Sequence, residues 1–82
     1  MAGNFKILYF AATTIYTGKD SESLSAPMKL GEMYELLEQK YPGIKGVIQG
    51  SMCTVNLDYV EDHELVIEAG DEVAIIPPVS AG

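Results

Sequence analysis

The sequence predicts an α+β domain in which one main helix covers one face of a sheet. Three patterns support this prediction: an apolar strand pattern over residues 5–10, an amphipathic helical stripe over residues 30–41, and short strand patterns that recur from residue 54 to residue 76. With 82 residues, the chain has room for one domain with a single modest core.

The first strand, residues 5–10, is rich in aromatic and branched side chains. Residues 11–20 contain three threonines and a glycine and are predicted to form a loop. Residues 22–26 are predicted to return as a short strand that completes a hairpin and ends at Pro27. Alternation along the first strand places Phe5, Ile7 and Tyr9 on one face and Leu8 and Phe10 on the other.

The main helix is predicted from apolar residues that recur at helical spacing, with charged residues on the opposite side. Pro42 and Gly43 end this helix, and residues 44–49 are predicted to add a short irregular helical turn. The apolar stripe consists of Leu30, Met33, Tyr34, Leu37 and Tyr41.

Short strands are predicted in the second half of the chain, over residues 54–57, 65–67 and 72–76. Asp58 is expected near a turn, with Tyr59 and Val60 continuing the strand or opening the next one. In the last strand Val73 and Ile75 alternate with Glu72 and Ala74. Pro77 and Pro78 lack backbone donors and therefore end it.

The composition is acidic, with five lysines, no arginine and twelve Asp plus Glu, for a formal charge of −7. This charge disfavours nucleic acids and anionic membranes as partners and favours a basic protein surface. Cys53 is the sole cysteine, so no internal disulfide can form. The first residues resemble neither a signal peptide nor an apolar span, and the expected compartment is the cytosol.

Side chains able to do chemistry are few and scattered. His63 lies in an acidic stretch, where a solvated turn is favoured over a catalytic or metal-binding role. Packing is favoured over nucleophilic reactivity for Cys53. An acidic run could imitate a carboxylate site, but its positions are expected to be exposed. The run consists of Glu61, Asp62, Glu64, Glu68, Asp71 and Glu72. The chain alone is therefore not expected to be an enzyme, and no metal site is expected.

The last six residues, 77–82, are expected to form a stiff tail projecting from a domain that spans residues 1–76. Composition alone favours a frayed, inert terminus. The sequence from Asp71 to Ser80, however, resembles the end of the small subunits of molybdopterin synthase, a family of ubiquitin-like sulfur carriers. The likeness extends to residues 6–11, to Val55-Asn56 with Tyr59-Val60, and to residues 70–74.

The resemblance implies a β-grasp fold, a mixed sheet packed on one main helix, with the first and last strands parallel at its centre. It also implies that a ubiquitin-activating-like enzyme uses ATP to adenylate Gly82, which a sulfur donor then converts to a thiocarboxylate. The sulfur would pass to a pterin precursor bound by a large subunit, commonly in a heterotetramer. That partner would hold the catalytic residues, and no cofactor is expected to bind this chain tightly.

One departure from the family pattern keeps alternative functions open. The family typically ends in two glycines, whereas here Ala81 precedes Gly82. Ala81, with Pro77, Pro78, Val79 and Ser80, would form the inserted tail. The alternatives are a sulfur carrier for thiamine synthesis or tRNA thiolation, and a protein-interaction module or modifier whose terminus forms an amide.

Partner binding is predicted on the open face of the sheet. Alternation sends Leu8, Phe10, Ala74 and Ile76 to that face, and exposed apolar patches usually mark interfaces. The resemblance adds Tyr59 to this patch and implies that the large subunit binds there. The competing interpretation is that another part of the chain covers these residues.

Overall fold

The computed structural model describes residues 3–78, so Val79, Ser80, Ala81 and Gly82 of the predicted tail lie outside the described residues. The elements in chain order are β1 (Gly3–Tyr9), α1 (Ala12–Thr17), β2 (Ser21–Ala26), β3 (Met28–Lys29), α2 (Leu30–Lys40), α3 (Ile44–Ile48), β4 (Met52–Val55), β5 (Asp58–Tyr59), β6 (Val66–Ile67) and β7 (Glu72–Ile76).

Five strands form one mixed sheet in the order β2-β1-β7-β4-β5, and β3 pairs with β6 in a separate two-stranded ladder. The central strands β1 and β7 are parallel, with Ile7 opposite Val73 and Tyr9 opposite Ile75. The other pairs in the sheet are antiparallel. The β1–β7 pair therefore has the arrangement that the family resemblance implied.

The core lies between one face of this sheet and α2. Alternate residues of β1 and β7 point into it and meet the apolar stripe of α2, as the hydrophobic periodicity predicts. Tyr34 and Tyr41, the two aromatic members of the stripe, pack at the margin of the core and are half-buried. The fully enclosed apolar side chains of the core are Phe5, Ile7, Leu30, Met33, Leu37, Ile44, Ile67, Val73 and Ile75.

The free backbone N–H groups at the amino end of α2 find hydrogen-bond acceptors in the segment that precedes β6. The backbone N–H groups of Leu30 and Gly31 donate to the carbonyl oxygens of Leu65 (2.8 Å) and His63 (3.0 Å). A Cβ at position 31 would lie 3.2 Å from the Cβ of His63, so this helical position favours glycine. Gly31 therefore permits the close approach of His63 that caps the helix.

The carboxyl end of α2 is tied to β2 through the carboxylate of Glu22, whose side chain is only 10% exposed. The Nζ of Lys40 donates to Oε1 at 2.7 Å, and the hydroxyl of Tyr41 donates to Oε2 at 2.8 Å. The hydroxyl of Tyr9 also donates to Oε2. This cluster joins β1, β2 and α2 at one edge of the core.

The prediction of a loop over residues 11–20 is wrong, because α1 occupies Ala12–Thr17. Threonine has low intrinsic helix propensity, so the pattern alone did not favour a helix. Hydrogen bonds stabilise it instead: the N–H and the hydroxyl of Thr14 both donate to the carbonyl of Ala11. Gly18 then ends the helix in the left-handed conformation, with its N–H donating to the carbonyl of Thr14.

The predicted strand over residues 54–57 is displaced. β4 begins at Met52 and ends at Val55, and Asn56 and Leu57 form the turn to β5 with φ angles of 51° and 74°. The side chain of Asn56 is held by Asp71 and by the N–H of Glu72. Asn56 is a usual turn residue but leucine is not, and the alternation over residues 54–57 favoured a strand that continues through both.

Candidate functional site

The sheet face opposite α2 carries a row of side chains that crosses four strands. Leu8 of β1 lies opposite Ala74 of β7, which lies opposite Thr54 of β4, which in turn lies opposite Tyr59 of β5. One step further along, Ile76 lies opposite Met52. We call Leu8, Phe10, Met52, Tyr59, Ala74 and Ile76 the outer-face patch.

Most of the outer-face patch is accessible. Phe10, Met52, Tyr59 and Ile76 are exposed, with Tyr59 at 70%, and Leu8 is half-buried. Ala74, predicted as a member, is only 9% exposed because its small side chain sits between neighbouring strands. It therefore forms the floor of the patch, and the larger side chains around it offer the contact area.

Met52 belongs to the patch but lies outside the predicted strand over residues 54–57. Its alternation with Thr54 would have placed it on the outer face once the strand was extended back to residue 52. The correct start was hidden because a single methionine and cysteine give little strand signal.

The tail leaves the domain beside this patch. Phe10, Ala11, Ile76 and Pro77 line a shallow cleft of about 370 Å³ at the ends of β1 and β7. Pro77 is buried there, whereas Pro78 is exposed. The division between a domain of residues 1–76 and a tail of residues 77–82 stays a prediction, although the first tail proline packs on the domain.

A larger cleft of about 780 Å³ lies between α2, α3 and the β4–β5 edge, and Met52 and Tyr59 of the outer-face patch also line it. It brings together Cys53 and His63, and the ring of Tyr34 meets that of His63 edge-on at 5.3 Å between centroids. Burial raises the pKa of the Cys53 thiol, and the hydrogen bond with Tyr34 opposes that shift only partly. A protonated thiol is a weak nucleophile, so the structure favours the packing role for Cys53.

The acidic run does not form a carboxylate or metal site. Asp71 is half-buried and the other five residues of the run are exposed. Hydrogen bonds from Asn56 and from the backbone N–H of Glu68 hold the pKa of Asp71 below its usual value. Within residues 3–78, no three His, Cys, Asp or Glu side chains are grouped so that they could hold a metal ion. The helices of this described part are all too short or too polar to cross a bilayer.

The sequence and fold match known proteins along nearly the whole chain. A family model described as the ThiS family matches residues 7–82. A protein of Pyrenophora tritici-repentis named molybdopterin synthase sulfur carrier subunit is 55% identical, with 99% of this chain and 92% of that protein covered. A Homo sapiens protein of the same name is 37% identical, with 94% of this chain and 92% of that protein covered.

Solved structures share the fold at lower identity. The crystal structure of SAMP1 from Haloferax volcanii superposes with a TM-score of 0.82 at 20% identity, covering 98% of this chain and all of that one. The protein–protein complex of subunits 1 and 2 of molybdopterin-converting factor from Helicobacter pylori gives 0.72 at 20% identity, with both chains fully covered. These likenesses confirm the predicted ubiquitin-like β-grasp fold.

Proposed function

The chain belongs to the ThiS family, and we propose that within this family it is the sulfur-carrier subunit of a molybdopterin synthase. The observation that carries this proposal is the 55% identity, over almost the entire chain, to a relative of that name. The fold alone would not suffice, because an archaeal protein of another name has it too.

The proposed chemistry takes place at the carboxylate of Gly82. A carboxylate is a poor electrophile, so one of its oxygens first attacks the α-phosphorus of ATP on an activating enzyme, and pyrophosphate leaves. A sulfur donor at the oxidation level of sulfide then attacks the acyl carbon of the adenylate. AMP departs as the leaving group, and the chain ends in a thiocarboxylate. Glycine suits this position because it puts no side chain beside the reacting carbonyl.

The residues that complete the reaction are proposed to lie on a larger partner that binds the pterin precursor, in a heterotetramer. Within residues 3–78, this chain has no cluster of three His, Cys, Asp or Glu side chains that could hold a catalytic metal ion. The Helicobacter pylori structure, in which two subunits of a molybdopterin-converting factor form a complex, supports a two-subunit arrangement. Reduced thiols are typical of the cytosol, which is the proposed compartment for a chain with one free cysteine.

The outer-face patch is proposed to be the surface on which that partner docks. Two of its exposed side chains, Phe10 and Ile76, line the same cleft as Pro77, where the tail leaves the domain. A partner that covers Phe10 and Ile76 would therefore receive the tail at the same time. The acidic charge of the chain favours a basic rim around the partner's apolar surface.

The proposal is tested by intact-mass spectrometry after incubation with ATP, the activating enzyme and a sulfide-level sulfur donor. We expect one oxygen of the chain to be replaced by sulfur. Deletion of Gly82, or addition of one residue after it, should abolish this change without altering the circular dichroism spectrum. Sulfur incorporation by either variant would contradict the assignment of Gly82 as the sulfur-carrying residue.

The same reaction mixtures distinguish the alternatives. A thiocarboxylated chain that delivers sulfur to a thiamine precursor or to tRNA, and not to a pterin precursor, would point to another carrier branch. A covalent amide with lysine side chains of other proteins would identify a modifier, the interpretation that Ala81 keeps open. Delivery to the pterin precursor in the presence of the large subunit is the expected result.

A further inference from the structure

The turn that follows β1 contains an unfavourable backbone conformation. Ala11 has φ 50° and ψ −126°, a region that glycine enters freely and that the Cβ of other residues disfavours. The side chain of Ala11 is exposed, so burial of its methyl group does not offset the cost. Such a conformation persists only where the surrounding structure holds it in place.

The side chain of Thr13 holds the backbone of Ala11 in this conformation. Thr13 is completely buried, and its hydroxyl donates to the carbonyl of Phe10 at 2.6 Å while accepting from the N–H of Phe10 at 2.9 Å. The N–H of Thr13 also donates to the carbonyl of Phe10, at 3.1 Å. Thr14 adds two hydrogen bonds to the carbonyl of Ala11. Both sides of the strained residue are therefore fixed.

This turn lies against the root of the tail. Because β1 and β7 are parallel neighbours, they end at the same edge of the sheet, and the turn after β1 stands beside the residues after β7. Phe10 and Ala11 form one side of the shallow cleft, and Ile76 and the buried Pro77 form the other. A shift of the turn would therefore move the surface on which Pro77 rests.

We propose that Thr13, by locking the Phe10–Thr14 turn, is a positioning residue that sets the direction in which the C-terminal tail leaves the domain. The inference rests on the proposed function and deepens it. A tail that enters a site on the partner needs the correct direction as well as an end free of bulky side chains. Five residues reach at most about 17 Å, so a change of direction of about 10° at Pro77 moves a fully extended end by about 3 Å. Errors of that size are large for reacting atoms, which must approach to about 3–3.5 Å.

The test compares Thr13→Val with Thr17→Val in the complex with the large subunit. Thr17 is the other buried threonine of α1, and its hydroxyl makes the same kind of paired hydrogen bonds, to the carbonyl and N–H of Lys19. Thr17 does not line the cleft at the tail root. It is therefore a matched control for the loss of a buried hydroxyl in this helix.

We expect Thr13→Val to lower the single-turnover rate of sulfur transfer at saturating large subunit about tenfold, with the Kd for that subunit changed less than about threefold. Thr13→Ser, which keeps the hydroxyl, should transfer sulfur at the wild-type rate, and so should Thr17→Val. Ala11→Gly should also keep the rate, because glycine adopts the same conformation without strain.

A structural measurement separates this inference from the proposed function. Residual dipolar couplings of the Cα–Hα bonds of Pro77 and Pro78 in the free protein report their orientation relative to the sheet. We expect these couplings to change in Thr13→Val and to stay constant in Thr17→Val. If the wild-type chain transfers no sulfur, the proposed function fails while the couplings still test the orientation. Couplings and rates that respond equally to both valine variants would overturn the inference.

Discussion

Ala81 occupies the position at which the small subunits of molybdopterin synthase typically have a glycine. A β-carbon disfavours positive φ and adds a methyl group where a narrow channel would grip the tail. We therefore expect Ala81→Gly to accelerate adenylation or sulfur transfer about tenfold, equivalent to about 1–2 kcal/mol in activation free energy. Single-turnover measurements of the two steps would identify which one the methyl group slows. Equal rates for both chains would show that the methyl group has no effect.

Glu22 is the residue for which the structure makes the clearest pH prediction. Burial alone would raise the pKa of Glu22, but hydrogen bonds from Lys40, Tyr9 and Tyr41 outweigh it and lower the pKa to about 2. A depressed carboxylate pKa stabilises the fold above its unfolded value of about 4.5, and this contribution disappears as the pH falls through the folded value.

We therefore expect Glu22→Gln to reduce the free energy of unfolding at pH 7 by up to about 3 kcal/mol. The difference from wild type should shrink between pH 4.5 and pH 2. Urea titrations at several pH values would measure it. Glu35→Gln is the matched control, because Glu35 pairs with Lys45 at the surface and should contribute at most about 1 kcal/mol. A constant difference across this pH range would contradict the assignment.

At the scale of elements, the turn of the β4–β5 hairpin holds Leu57 in a backbone conformation that leucine disfavours. Leu57 has φ 74° and is exposed, so its side chain gains little from packing. Leu57→Gly should stabilise the protein by about 1 kcal/mol, because relief of the positive φ exceeds the entropy cost of glycine. The melting temperature should rise by about 4–8 °C for a domain of this size. Leu57→Ala, which keeps the β-carbon, should give no such rise if strain is the cause.

The elements also differ in how far the sequence could predict them. Alternation in β1 and the stripe from Leu30 to Tyr41 were sufficient because each buries a whole face against the core. Helix α1 was not predicted because it depends on the hydroxyls of Thr13 and Thr14. Side-chain hydrogen bonds produce no hydrophobic periodicity in the sequence. The two-residue strand β3 depends on pairing with β6, a contact between distant segments that no local pattern encodes.

For the site, alternation alone predicts that Leu8, Phe10, Ala74 and Ile76 share one face. The register confirms this for Leu8, Ala74 and Ile76. Phe10 follows the end of β1 and lines a cleft with Ile76. Tyr59 came from the resemblance, because its side of the sheet depends on where the β4–β5 turn falls. The strained turn at Ala11 was beyond sequence reasoning, since a lone alanine carries no signal of positive φ.

For the molecule as a whole, the outer-face patch should govern association. Ile76→Asp should weaken binding to the proposed large subunit by more than about 2 kcal/mol, because it would place a charge in the proposed apolar contact. Isothermal titration calorimetry would measure this change. Val66→Asp is the matched control: Val66 is 44% exposed against 37% for Ile76, but it lies in the β3–β6 ladder away from the patch. Unchanged affinity for Ile76→Asp would remove the patch from the interface.

The central place of β7 also governs how the domain folds. The hairpin of β4 and β5 can form from neighbouring residues, but β7 must join β1, which lies at the opposite end of the described chain. Such non-local pairing slows folding, because loop closure costs entropy before the contacts compensate for it. Until β7 docks, Val73 and Ile75 leave the core open. The strand that completes the core is also the one that leads into Pro77, so a chain in which β7 has not yet docked would offer the proposed activating enzyme no anchored terminus.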